Sequence, residues 1–160
     1  MEFRLVTRRV AMGGTMRDFT VLPHPGAVVI VPERDGRVAL VRQYRPAADA
    51  YLWELPAGTL QAGEDPRVCA ARELAEETGW RAGRLEPLGQ FFPAPGYSTE
   101  LMHVFLATEL VEGQAAPEEG EDIAEVRWFA PPELDCMVTD GTLRDAKTIA
   151  GLYYYRLRRV

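Results

Sequence analysis

Apolar and polar residues alternate along two stretches near the start of the chain, Phe3 to Met12 and Met16 to Leu22, separated by Gly13-Gly14. A period of two broken by glycines predicts a β-hairpin. Ala27 to Val31 and Val38 to Tyr44 are apolar, β-branched runs split by the turn Glu33-Arg34-Asp35-Gly36. They read as a pair of strands in a central sheet. Leu85 to Phe92, Glu100 to Leu106 and Glu125 to Phe129 are three further predicted strands.

The period changes between Pro66 and Thr78, where Val68, Ala71, Ala75 and Thr78 form a helical packing stripe with Leu74 beside it. Asp65 is placed to cap this helix, Pro66 suits its first turn, and Gly79 stands where a helix stops. A second helix is predicted from about Asp140 to Arg156, ending in the aromatic group Tyr153-Tyr154-Tyr155. Helices alternating with strands around a mixed sheet give an α/β or α+β class.

With 160 residues, 47% of them hydrophobic, the chain reads as one globular domain spanning residues 1–160. The segment MEFRLVTRRV lacks the apolar stretch of a signal peptide, and no run approaches the roughly 18 residues of a membrane span, so a cytoplasmic location is expected. A formal net charge of −6 argues against a nucleic-acid clamp. Arginine carries nearly all the positive charge, Lys147 being the only lysine. Cys69 and Cys136 are far apart, match no metal-ligand spacing and read as reduced thiols.

The chemistry concentrates between residues 58 and 80. Gly58 and Glu64 are followed by Arg72-Glu73, apolar Leu74, Glu76-Glu77, then Gly79 and apolar Trp80. Glu73, Glu76 and Glu77 stand at i, i+3 and i+4 and project from one side of the predicted helix. Left unpaired, the Glu73–Glu77 repulsion would cost about 0.2–0.5 kcal/mol. Arg72 faces Glu76 at i+4 and offsets part of it. Hard oxygen donors in this arrangement suit Mg²⁺ or Mn²⁺, which would also bind a substrate phosphate. A solvated acidic helix face would account for the glutamates taken alone, but not for Gly58, Glu64 and Gly79 at their spacings.

This segment resembles the Nudix box, G-x₅-E-x₇-R-E-U-x-E-E-x-G-U with U apolar, and every fixed position is filled. The resemblance implies an α/β/α sandwich around a mixed sheet and metal-dependent hydrolysis of a nucleoside diphosphate linked to another moiety. It implies that Glu73 and Glu77 bind metal with the Ala57 carbonyl, and that Glu76 is a metal ligand or orients the attacking water. Gly58, Glu64 and Arg72 would support the ligands from behind.

Outside the box, VRQYRPA (41–47), WELPAG (53–58), PAPGYSTE (93–100), EEGEDIAEVRWF (118–129) and GTLRDAKT (141–148) are similar to the ADP-ribose pyrophosphatase branch. Pro95, fifteen residues beyond Trp80, is a cue for that branch; Tyr97, seventeen beyond it, is a cue for the dinucleoside polyphosphate branch. The resemblance to the ADP-ribose branch implies cleavage to AMP and ribose 5-phosphate with two or three Mg²⁺ ions, Mn²⁺ substituting. Arg45 would then grip the diphosphate, Glu100 a ribose hydroxyl, and Tyr97 would line the sugar pocket. In the acidic loop Glu121 would be a metal ligand and Glu119 the general base, with Asp122 or Glu118 able to replace either. A homodimer is implied, its N-terminal strands reaching the partner's site and Phe19 or a neighbouring aromatic stacking on adenine. Rival substrates are sugar nucleotides, FAD, oxidised nucleotides and dinucleoside polyphosphates; the rival class is a nucleotide-sensing module that does not cleave. Neither His24 nor His103 has a fellow metal ligand at a useful sequence spacing.

Overall fold

In the computed structural model, residues 4–116 and 122–158 are described. The expected N-terminal hairpin is present as β1 (Val6–Met12) and β2 (Thr15–Val21), antiparallel with Val6 opposite Val21 and Met12 opposite Thr15. β3 (Ala27–Arg34) and β4 (Arg37–Arg45) follow, and the Glu33 carboxylate accepts the Gly36 N–H across their turn at 2.8 Å. Two short strands, β5 (Ala50–Glu54) and β6 (Ala57–Thr59), lead to α1 (Pro66–Thr78). After α1 come β7 (Trp80–Phe91), β8 (Met102–Glu112), β9 (Ile123–Phe129), α2 (Pro131–Thr139) and α3 (Ala146–Arg158).

The main sheet runs β5-β4-β3-β8-β7, with β6 also pairing β3 and β9 pairing β4. β3 and β8 run parallel, Ala27 opposite Met102, while the other pairs are antiparallel, so the sheet is mixed as expected. Why β3 is apolar on consecutive positions is plain from its two faces. Val28 and Ile30 pack with Leu60, Cys69, Ala70 and Leu74 on the α1 side. Val29 and Val31 pack with Leu134, Met137, Leu152 and Tyr155 of α2 and α3 on the other. A strand covered by helices on both faces loses the alternation of a half-exposed one. The result is an α/β/α sandwich.

Three expectations need correction. The packing stripe of α1 is not the one its apolar spacing suggests: Val68 is 59% exposed and Ala71 also faces solvent. The buried face is Cys69, Ala70, Glu73, Leu74, Glu77 and Thr78. Two glutamates lie on it, so a search for apolar residues alone rotates the helix away from its true inner side. The second helix does not run from Asp140; Asp140 is the C-cap of α2, which opens at Pro131, and α3 starts at Ala146. Asp145 turns the chain into α3, its side chain accepting the Thr148 N–H at 2.9 Å. Finally, β5 and β6 were not expected, being too short for a periodic signal, and β7 and β8 extend beyond the predicted strands toward Trp80 and Glu112.

Candidate active site

α1 begins and ends as its sequence requires. Asp65 accepts the Arg67 N–H at 2.8 Å, Pro66 occupies the first turn, and Gly79 closes the helix at φ 76, its N–H bonding the Ala75 carbonyl. Such left-handed geometry, with the Ala115 nitrogen 2.8 Å from where a Cβ would stand, leaves room only for glycine.

β6 passes against the glutamate face of this helix. A Cβ on Gly58 would stand 1.8 Å from Cδ of Glu73, so the glycine makes the space the Glu73 carboxylate occupies. One residue earlier, the Ala57 N–H donates to Glu77 Oε2 at 3.2 Å. Glu73 is 5% and Glu77 3% exposed. Carboxylates so withdrawn from water need partners, and Arg72 is one for Glu73. Its Nη1 donates to Glu73 Oε1 at 2.7 Å and to Glu76 Oε2 at 2.9 Å. Its Nε and Nη2 grip both oxygens of Glu64 at 3.1 Å. The hydrogen bonds to Glu64, helped by the charge of Glu73 and the hydrogen bonds to Glu76 and Glu73, hold the guanidinium still more firmly protonated than usual. In return Arg72, with the Gln61 N–H, holds the Glu64 carboxyl below its ordinary value. Burial beside Glu64 and Glu73 pushes the Cys69 thiol up to about 12.

Arg45, Ala57, Gly58, Arg72, Glu73, Tyr97 and Glu100 all line a single cleft of about 930 Å³. The fold therefore gathers residues expected to act together from four separate segments. Glu64, Glu76 and Glu77 are not among its lining residues but reach it through Arg72 and the Ala57 N–H. Glu118, Glu119 and Glu121 lie outside the described residues. Among the described residues no three His, Cys, Asp or Glu side chains converge on one point that could hold a metal ion. The donor chemistry nevertheless suits a hard divalent cation: two buried carboxylates, Glu73 and Glu77, flank a backbone that carries no side chain at residue 58.

Other participants escape a reading of the sequence. His24 also lines the cleft; the Gly26 N–H donates to its Nδ1 at 3.1 Å, and its Nε2 stands 3.7 Å from Glu100 Oε1. The chain segment carrying it is held to the Tyr97–Glu100 loop by Leu22 N–H to Tyr97 O, Thr99 N–H to Leu22 O and His24 N–H to Thr99 Oγ1. Tyr97 itself is 62% exposed at this loop. Arg45 is paired with Glu54, its Nε and Nη2 donating to the two carboxylate oxygens at 2.8 and 2.6 Å. Lys147 donates to Glu54 as well, and to Asp145 at 3.0 Å. Burial alone would raise the Glu54 carboxyl, but the hydrogen bonds and charges of Arg45 and Lys147 prevail and hold it below its ordinary value. The available signal was Glu54 itself, a charge set between Trp53 and Leu55 in an otherwise apolar segment.

Known proteins give the same picture. The chain is 36% identical over 140 residues to an ADP-ribose pyrophosphatase of Bacillus subtilis (strain 168), covering 86% of this chain and 76% of that protein. It is 40% identical over 143 residues to an ADP-ribose pyrophosphatase of Mycobacterium tuberculosis (strain ATCC 25618 / H37Rv), covering 88% and 69%. The fold matches the crystal structure of an ADP compounds hydrolase with a TM-score of 0.80 at 23% identity, over 98% of this chain and 93% of that one. The NUDIX domain family model matches residues 22–152, spanning both the carboxylate helix and every described residue of the cleft, and the chain is a member of that family.

Proposed function

We propose that this chain is a Mg²⁺-dependent pyrophosphohydrolase that converts ADP-ribose and water to AMP and ribose 5-phosphate. One observation carries the reading: the buried-glutamate face of α1, Arg45, Tyr97 and Glu100 open onto the same cleft, which has room for a dinucleotide-sized substrate. The two ADP-ribose pyrophosphatases above support the choice of substrate.

Glu73, Glu77 and the Ala57 carbonyl would hold the metal, with Glu121 joining them. Two or three Mg²⁺ ions bound there would offset the charge of the diphosphate and make a bound water more acidic. Arg45, held side-on by Glu54, presents its remaining N–H groups to the diphosphate. The attacking water forms one P–O bond as the bridging P–O bond breaks, and its proton passes to Glu119 or to Glu76. Arg72 holds Glu76 in place for that role, its Nη1 donating to Glu76 Oε2. Glu100, whose Oε1 stands 3.7 Å from His24 Nε2, accepts a hydrogen bond from a ribose hydroxyl.

The hairpin supports a second copy of the chain as partner. β1 and β2 form a separate two-stranded sheet with Val6, Val10, Met12, Met16 and Phe19 exposed. A hairpin alone in water is marginally stable at best, so we assign these residues to a homodimer interface, with Phe19 placed to stack on the partner's adenine. The body is a single NUDIX domain acting in the cytoplasm, in keeping with its two free cysteines. No helix among the described residues is long and apolar enough to cross a membrane.

Chromatography of products from ADP-ribose with Mg²⁺, beside FAD, sugar nucleotides and diadenosine polyphosphates, tests the proposal. Rapid AMP and ribose 5-phosphate from ADP-ribose alone is the expected result. Preference for another compound would overturn the substrate, and binding without cleavage would overturn the reaction.

A further inference from the structure

Glu54 ends β5 and is 1% exposed, yet two cations converge on it, Arg45 from β4 and Lys147 from α3. Asp145 is the other carboxylate of the group, and its Oδ2 already accepts the Thr148 N–H at 2.9 Å and the Thr148 hydroxyl at 2.6 Å in capping α3. Thr148 Oγ1 in turn accepts the Leu55 N–H at 2.7 Å, which fixes the end of the helix to the residue after Glu54. The four charges balance, so the cluster stands without a ligand. Their placement is asymmetric. Arg45 and Lys147 line the cleft, whereas Glu54 and Asp145 do not. An anion entering the cleft meets both cations with their counterions behind them.

Donor count points the same way. A lysine ammonium has three N–H groups; Glu54 and Asp145 take two, and the side chain remains 16% exposed. Arg45 spends two of its five donors on Glu54. We propose that Lys147 is a second phosphate-binding cation of this cleft, acting beside Arg45 on the diphosphate oxygens, with Glu54 setting the distance between them. The inference rests on a nucleoside diphosphate occupying the cleft and adds to it a residue that contacts the substrate.

Because Lys147 is the only lysine, protein labelled with ¹³C-lysine gives one side-chain ε-methylene signal, a probe that needs no mutation. With Mg²⁺ present, inorganic pyrophosphate and the non-hydrolysable α,β-methylene analogue of ADP-ribose are expected to shift that signal, and adenosine is not. Lys147→Met is expected to weaken binding of both anions about tenfold, the worth of one charge-assisted hydrogen bond, raising KM with little change in kcat, and Lys147→Arg to restore most of it. A signal that saturating pyrophosphate leaves in place, or a Lys147→Met protein that binds like the wild type, overturns the proposal. A shift with pyrophosphate but none with the ADP-ribose analogue keeps Lys147 as an anion-binding residue and discards ADP-ribose as the substrate.

Discussion

Gly58 shows how much one absent side chain can determine. The atom a Cβ would strike first is Cδ of Glu73, the free end of a flexible side chain. Gly58→Ala should therefore displace the carboxylate and spare the backbone. Turnover is expected to fall about 10–100-fold, as when support for a metal ligand is lost, with an unchanged circular dichroism spectrum; full activity would mean Glu73 works from elsewhere. The two cysteines should separate cleanly under a thiol reagent. Cys69 is buried with its thiol pushed up to about 12, whereas Cys136 is exposed. Mass spectrometry of native protein at mildly alkaline pH should find a single label, on Cys136, and a second only after unfolding. Acid should act through Glu54 and Glu64, whose folded pKa values lie below the ordinary 4.5. Groups depressed on folding contribute stability in full above the unfolded value and lose it as pH falls through the folded one. Melting temperature should thus hold between about pH 7 and 5 and fall below that. Glu54→Gln should shallow the acid limb, and an unaltered limb would show that Glu54 is not linked to folding.

Among the elements, α1 and α3 contrast in how they announce themselves. α1 carries its start and stop in side chains, Asp65, Pro66 and Gly79, so its limits are legible without coordinates. α3 is preceded by Asp145, three residues before Thr148 and an equally good cap, but the aromatic run and the earlier Asp140 suggest a longer helix. What separates α2 from α3 is tertiary: the Leu143 N–H bonds Met137 O, and Leu143 is buried between the two helices' residues. Asp145→Ala should cost about 1–2 kcal/mol, the usual loss of an N-cap. For a chain of this length that is a fall of a few degrees in Tm, about 2–4 °C per kcal/mol. Asp145→Asn, which still accepts the Thr148 N–H, should recover most of it, and equal losses in both would place the effect in the Lys147 ion pair.

Across the whole molecule, the fold class and the carboxylate helix were legible because both are local patterns. The cleft was legible only in part. Glu54 meets Lys147 across 93 residues and His24 meets Thr99 across 75, and no short-range spacing encodes either pairing. The hairpin belongs to this scale too. Removing residues 1–21 should leave a folded body and convert a dimer to a monomer in light scattering; a wild-type protein that is already monomeric would refute the interface. The same long connections set an order of assembly. A chain emerging from the ribosome completes the glutamate helix at Thr78, but β8, the parallel neighbour of β3, arrives only from residue 102. Lys147 comes later still, within α3. A nascent or truncated chain can thus hold the whole recognisable motif while Glu54 lacks its second counterion. Assembly of the cleft in this sense waits for α3, and a fragment stopped before α3 should be handled by the cell as unfinished.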